Sequence, residues 1–518
     1  MENSASTING TVISTTEFSE KRRAKSKEIQ KINDATNPSL STNPKKTTSK
    51  TFRSSKSVEQ DDFGISLSRT NSIDETGGPA EAICASNKTV NNGPRRRNSK
   101  INEDEDTTNS NRERGEIRHQ AKRSNSLPNS NLSKHLRAAA KSLKLKMDDI
   151  SKAAEKVNKV IDIIIKSELF KSNPLFKSME KMSTGSYYEG LKISNPNEFD
   201  IMLKIKFESY QTIELTSIDE SGAFYTLAFK KRKPAAMDPY IDNEQNILAK
   251  YILDEFRTLI NNVLQQSGKP ASLEKKDPSS PAVTLTIPNE PENISVDLVL
   301  ALQIRQWPEK ASNGMNIDSW LGTKEKQKYR KEPCYMVAKQ ANPGKKDKKD
   351  TWRISFSNIE KDILSHHGSA KTCCERQGPM CCRKLCLKLM KYILKQLKSE
   401  NQRRMNQFCS YHAKTALLHT CTLYPKDEDW KLEDLDVCFN RYVESFLNCL
   451  RTYSLSNFFI PSHNLFSSDY IDKSSCKYLF EKLESEKTQN YPIFLSIIQL
   501  SAGTSRLSQD DGIAQVHD

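Results

Sequence analysis

Apolar residues first fall into a regular spacing near Leu132. Leu132, Leu136, Ala139 and Leu143 recur three to four apart, which predicts a helix with one apolar face. Lys134, Arg137, Lys141 and Lys144 form a second, basic stripe at steps of the same kind. A longer helix follows through Ile150, Ala154, Val157, Ile161, Ile164 and Ile165, with Asp148 or Asp149 placed to cap it. The period then changes to two. Phe199, Ile201, Leu203, Ile205 and Phe207 alternate with Glu198, Asp200, Met202, Lys204 and Lys206, a strand with one apolar and one polar face. Residues 223–230, 282–287 and 294–301 read as further strands. Beyond 350 the helical period returns over 354–364, 386–397, 412–421, 432–450 and 470–484. The pattern predicts an α+β body, a strand-rich lobe followed by a helical one, with a loose tail over 495–518.

Residues 1–130 carry no such period. They hold three aromatics (Phe18, Phe52, Phe63) of the chain's 39 and are rich in Ser, Asn and Thr, so they are expected to be disordered. The chain carries 80 Lys and Arg against 65 Asp and Glu, a net charge of +15; residues 1–130 contribute 22 basic and 17 acidic side chains. A basic tail on a basic body points to a polyanion, either nucleic acid or an acidic membrane surface. No secretory signal opens the sequence and no run of 18 apolar residues is present, so a transmembrane segment is not expected. Twelve cysteines, five of them within 373–386, are then expected to be reduced, in cytosol or nucleus.

Glu198 and Asp200, two apart on a strand, face the same side, and two adjacent anions repel unless a cation lies between them. Two Mg²⁺ ions, or Mn²⁺, would serve, as in two-metal phosphoryl transfer. Asp297, in an otherwise apolar strand, is the best third ligand. Eleven residues separate Glu198 from Thr184-Gly185-Ser186, a turn able to offer N–H groups and a hydroxyl to phosphate.

A Gly-Ser turn followed by Glu-x-Asp is the nucleotidyltransferase signature, and the stretch from Thr184 to Asp200 resembles the vertebrate cyclic GMP-AMP synthases. Further similar blocks are 280–285, 294–297, 351–357, 386–391, 408–415 and 464–468, so the resemblance runs from about Asn131 to Phe494. It implies a nucleotidyltransferase fold, with a twisted mixed sheet, a helical C-terminal lobe and an inserted zinc loop, in one catalytic domain over 131–494. It also implies a reaction: ATP and GTP joined through a 2′–5′ link and cyclised through a 3′–5′ link, under the control of double-stranded DNA, to give a second messenger of antiviral signalling. On this resemblance Glu198, Asp200 and Asp297 hold magnesium, and Thr184 and Ser186 sit at the phosphates. Arg353, Ser355 and Ser357 fall at guanine with Glu360 nearby, Lys391 and Ser410 at the triphosphate, and Tyr411 under a base. Val299, two after Asp297, departs from relatives that carry a hydroxyl there; valine neither donates nor accepts, which loosens the expected purine preference.

His367, Cys373, Cys374 and Cys381 offer one nitrogen and three sulfurs to a structural Zn²⁺, with Gly378-Pro379 turning the chain back. His366 is an alternative ligand; the resemblance favours His367. Lys361, Lys371, Arg383, Lys384 and Lys388 edge this loop and, with Lys144, suit sequence-independent contact with a DNA backbone. Lys324 and Lys339 fall where relatives make a second DNA contact. The resemblance also implies a homodimer on DNA, two chains across two duplexes. Ser209 and Lys231 stand where relatives carry arginines against the nucleosome, so chromatin tethering is not expected. In the tail, serines 72, 99 and 126 each follow an arginine by three, and Pro128 makes Ser126 a candidate phosphoserine adaptor site. Other readings are a relative sensing double-stranded RNA with a different product, and an inactive nucleic-acid-binding scaffold.

Overall fold

The computed structural model describes residues 130–500 apart from 194, 208–211, 278–279, 342–349, 370–372 and 375–379. The tail with its serines 72, 99 and 126, as well as Ser209, Lys371, Gly378 and Pro379, lies outside the described residues.

Among the described residues, the strands form one mixed sheet of nine. They are β1 (Glu180–Thr184), β2 (Glu198–Ile205), β3 (Ile213–Ser217), β4 (Phe224–Phe229), β5 (Ser272–Leu273), β6 (Ala282–Ile287), β7 (Ile294–Ile304), β8 (Cys334–Ala338) and β9 (Trp352–Ser355). The order is β1-β2-β7-β8-β9-β4-β3. β7 is long enough to carry β6 on its first half and β8 on its second, while β2 lies parallel along its other edge. In β7 the residues Ile294, Val296, Leu298 and Leu300 are buried and alternate with Ser295, Asp297 and Val299, so one face of its first half joins the core and the other is free for chemistry.

Among the described residues the helices that matter here are α1 (Ser130–Ser142), α2 (Met147–Ile165), α3 (Gly185–Tyr188), α4 (Ala249–Gln266), α5 (Thr323–Lys331), α6 (Ser357–Ser365), α7 (Arg383–Glu400), α8 (Ser410–Leu423), α9 (Leu435–Arg451) and α10 (Lys473–Thr488). α2 buries Val157, Ile161 and Ile164, the stripe expected from spacing. Its N-cap, however, is Lys146; Asp148 and Asp149 sit inside the first turn, where their charge suits the helix dipole. α1 packs its apolar face on α7 and α9, leaving Lys134, Arg137, Lys141 and Lys144 exposed.

Three further expectations change. Residues 352–355 are strand, and the helix expected from 354 starts at Ser357, because Trp352 and Ile354 alternate before Ile359 and Ile363 take up helical spacing. α4 and β8 were not foreseen: β8 is buried on both faces, so it shows no alternation. The tail expected to be loose is helical over 495–500, with Ile497 and Ile498 packed on the core. No described helix is long and apolar enough to cross a membrane.

Candidate active site and zinc cluster

β2 and β7 run parallel in a register that sets Asp200 beside Asp297. β1 brings Thr184 opposite Asp200 on the other side. The chain then turns at Gly185 with φ +78, and a Cβ there would lie 2.0 Å from Asp200 Oδ2. Only glycine lets this turn close over the carboxylate. Burial, and then the charge of Asp297, pushes the Asp200 carboxyl up to about 6. Asp297 is fixed from its far side by β6, where Thr284 Oγ1 donates to its Oδ1 at 2.6 Å. Glu198, on the Asp200 face of β2, instead turns to Lys192 and pairs with it. Burial works against its charged form, but Lys192, with Lys395 and Lys391 behind it, holds its pKa low. The structure thus joins two of the three expected carboxylates and leaves the third on a lysine. The donor set fits a cation: two carboxylates under mutual repulsion, with a third on the same strand face.

Asp200 of this pair lines a cleft of about 720 Å³, and all nine residues expected at the nucleotides line it too: Thr184 and Ser186 on one side, Arg353, Ser355, Ser357 and Glu360 on another, and Lys391, Ser410 and Tyr411 from the helical lobe. Lys391 Nζ donates to Leu191 O, and burial, with Lys192 next in effect, lowers its pKa to about 8. Ser355 and Ser357 share a 2.7 Å hydroxyl contact. Glu360 is not free to meet a base directly. It is 5% exposed, accepts from Tyr411 Oη at 3.0 Å and pairs with Lys414 at 3.0 Å. Lys414 also pairs with Glu189 at 2.8 Å, and Asn457 Nδ2 donates to Tyr411 Oη. Burial works against the Lys414 charge, yet Glu360 and Glu189 outweigh it and raise the pKa. Sequence reasoning missed Lys414, Glu189 and Asn457; the one local signal was that Lys414 stands four residues after Ser410, one helical turn on. Lys339, expected on a DNA face, lies instead on the wall of this cleft, half-buried with Arg353 and Cys409 close enough to act on its charge.

The ligand atoms of His367, Cys373, Cys374 and Cys381 lie within 4.8 Å of one another. Cys374 Sγ is 3.9 Å from Cys373 Sγ and 3.7 Å from Cys381 Sγ. His367 Nδ1 meets Leu364 O at 2.7 Å; a carbonyl only accepts, so Nδ1 carries the proton and Nε2 keeps its lone pair. That Nε2 is buried without a partner. An orphaned imidazole nitrogen facing three thiols fits tetrahedral zinc. Asp427 holds both stems of the loop, accepting from Ser369 N at 3.0 Å and from Arg383 Nη1 at 2.9 Å. Arg383 is therefore a buried brace, 1% exposed, and not a cation of the outer face. Cys382 and Cys386 are buried beside the cluster and outside its ligand group.

Of the basic residues assigned to DNA, Lys144, Lys384 and Lys388 come together. Burial lowers the Lys388 pKa, followed by the charges of Lys384 and Lys144. Lys361 donates to Ser183 O at 3.0 Å and lies 5.6 Å over the Tyr188 ring. Lys324 stands exposed in the first turn of α5.

Two family models match: the Mab-21 protein nucleotidyltransferase domain over residues 187–366, and the Mab-21 protein HhH/H2TH-like domain over 382–485. The first spans most of the sheet and the second the helical lobe. A cyclic GMP-AMP synthase of Mus musculus is 46% identical over 355 residues, covering 68% of this chain and 69% of its own. One of Sus scrofa is 43% identical over 364 residues, covering 69% and 72%. A cyclic GMP-AMP synthase-like receptor of Magallana gigas is 28% identical over 349 residues, covering 65% and 55%. The chain belongs to the cyclic GMP-AMP synthase family of Mab-21 nucleotidyltransferases.

Proposed function

We propose that this chain joins ATP and GTP into cyclic GMP-AMP, first through a 2′–5′ and then a 3′–5′ bond, when double-stranded DNA binds its basic face. The observation that carries the reading is Asp200, paired with Asp297 across β2 and β7, on a cleft lined by every candidate nucleotide contact. Glu198, Asp200 and Asp297 would hold two Mg²⁺, which supply Lewis-acid stabilisation of the attacking and leaving oxygens when bound. For Glu198 to join, its carboxylate must leave Lys192, which lies beside the same cleft wall as Lys391.

The chain's own residues do the rest. Ser186 and the Gly185 turn receive phosphate oxygens, with Lys391 and Ser410 meeting them from the helical lobe. Tyr411 offers a ring face to a base, held in place by Glu360 and Asn457. Arg353, Ser355 and Ser357 present donors to a purine edge. Lys414 between Glu189 and Glu360 ties the floor of the cleft to α8, so a shift of α8 moves Tyr411 and the phosphate contacts together.

The zinc loop, pinned by His367, Cys373, Cys374 and Cys381, stands next to Lys144, Lys384 and Lys388. These cations would bind the DNA backbone, with Lys324 and Lys361 adding contacts and the loop pairing two chains on two duplexes. Such contacts read no base sequence, as a sensor of any DNA requires. Action in cytosol and nucleus is part of this reading.

The test is incubation of the purified chain with ATP, GTP and Mg²⁺, with and without duplex DNA or duplex RNA, and identification of the product by mass spectrometry. Cyclic GMP-AMP formed with DNA alone is the expected result. A product formed only with RNA, or none with either, would overturn the proposal.

A further inference from the structure

One group on the cleft wall has no task in the reaction described above. His463 lines the cleft, is 7% exposed, and its Nδ1 is buried with no hydrogen-bond partner. We infer that His463 is a specificity-determining contact, hydrogen-bonding the edge of the purine base that enters beside Tyr411. The inference rests on the nucleotidyl-transfer reading.

The local chain explains why the ring is there. Asn457 Oδ1 accepts from Phe459 N and Ile460 N and shapes a tight loop. His463 N then donates to Ile460 O, and Asn457 N donates to His463 O at 2.8 Å. The same Asn457 donates through Nδ2 to Tyr411 Oη at 3.1 Å. One residue therefore sets the position of both His463 and the Tyr411 ring. Phe224 and Tyr470 meet the imidazole edge-on, with centroids 6.4 and 5.4 Å away and interplanar angles of 87° and 83°, and so fix its plane. Burial, and then the Arg353 charge, lowers its pKa to about 4, so the ring is neutral at neutral pH. A neutral imidazole has one donor and one acceptor, and a purine edge offers both complements. Nδ1 is enclosed and out of reach of a ligand, so the nitrogen that can meet an entering base is Nε2, which is not enclosed and has no protein partner. With Val299 apolar on the same cleft, His463 adds a nitrogen-based reader for the base.

The experiment uses the full-length chain with duplex DNA. His463→Phe keeps a ring and removes both nitrogens; His463→Gln keeps a donor and an acceptor. KM and kcat are measured for ATP and GTP, each with the other saturating, and in competition with inosine triphosphate and 2-aminopurine riboside triphosphate. The expected result is a rise of about tenfold in KM for one purine triphosphate in His463→Phe with kcat little changed, weaker discrimination against the matching analogue, and partial recovery in His463→Gln. KM values and discrimination within twofold of wild type in His463→Phe would overturn it and leave the ring a packing residue. Calorimetric binding of the same nucleotides on a Glu198→Gln, Asp200→Asn background reads the same contrast without turnover. A retained binding contrast, together with a chain whose carboxylates are intact and that still makes no dinucleotide, would fault the proposed reaction and not the His463 assignment. Equal binding across the His463 variants would fault the assignment alone.

Discussion

At the scale of single residues, Asp200 and Lys391 on the cleft are held away from their ordinary titration. Asp200 is buried beside Asp297, so its ionised form is resisted in the folded chain. Replacing it by asparagine removes one member of a repelling pair. Asp200→Asn is expected to raise the melting temperature of the metal-free chain at pH 7, and Mg²⁺ with ATP should stabilise wild type more than the variant. A lower melting temperature in the variant would contradict the repulsion. Lys391 gives a pH dependence of its own. Its pKa falls from 10.5 to about 8 through burial and then Lys192, so its charge is lost as pH rises through 8. Triphosphate affinity should weaken between pH 7 and 9 in wild type and stay flat in Lys391→Met, measured by calorimetry. For stability the sign is opposite: the buried charge opposes folding below pH 8, and that cost is relieved between 8 and 10.5. The acidic signature was legible because Glu198 and Asp200 sit on a clean alternation. Lys414, Glu189 and Asn457 were not, because they meet only when 189, 360, 414 and 457 are brought together by tertiary packing.

At the scale of elements, the turn between β1 and α3 and the candidate zinc loop each concentrate the proposed chemistry in a few residues. Gly185→Ala would force a Cβ into the space of Asp200 Oδ2 at a positive φ. The expected result is at least about a hundredfold loss of product formation with DNA binding retained, since a displaced reacting group of this kind costs about that much. An alanine variant with wild-type turnover would show that the turn does not set Asp200. In the zinc loop, Cys373→Ala with Cys374→Ala removes two of four ligands. Elemental analysis should give about one zinc per chain in wild type and none in the variant, with most DNA-stimulated activity lost; a variant that kept its zinc would refute the ligand set. The strands at 198–205 and 282–287 and the helices beyond 380 were legible from period alone. β8 was not, since a strand buried on both faces reads like any apolar run. The same strand explains why Lys339 was misplaced: sequence gives no sign of which way the chain leaves it, and the structure turns the side chain into the cleft.

At the scale of the molecule, the sheet lobe supplies Asp200, Thr184 and Arg353 to the cleft, and the helical lobe supplies Lys391, Ser410 and Tyr411, so the cleft depends on how α7 and α8 lie on the sheet. The basic group of Lys144, Lys384 and Lys388 spans the end of α1 and the start of α7. DNA bound there would press on the element that carries Lys391. Lys384→Glu with Lys388→Glu should weaken duplex binding across all sequences and reduce the slope of log affinity against log salt by about 2, near 0.9 for each lost phosphate contact. An unchanged slope would place the DNA elsewhere.

The central claim is that the β2–β7 carboxylates perform DNA-controlled nucleotidyl transfer. Its most direct test is the rate of cyclic GMP-AMP formation by wild type and by Glu198→Gln with Asp200→Asn, with saturating duplex DNA, ATP, GTP and Mg²⁺, and DNA affinity and melting temperature measured on the same samples. The expected result is product from wild type, none from the double variant, and equal DNA affinity for both folded proteins. A folded double variant that bound DNA and kept more than a few percent of the rate, a residue far above the loss of both ligands in a two-metal site, would contradict it.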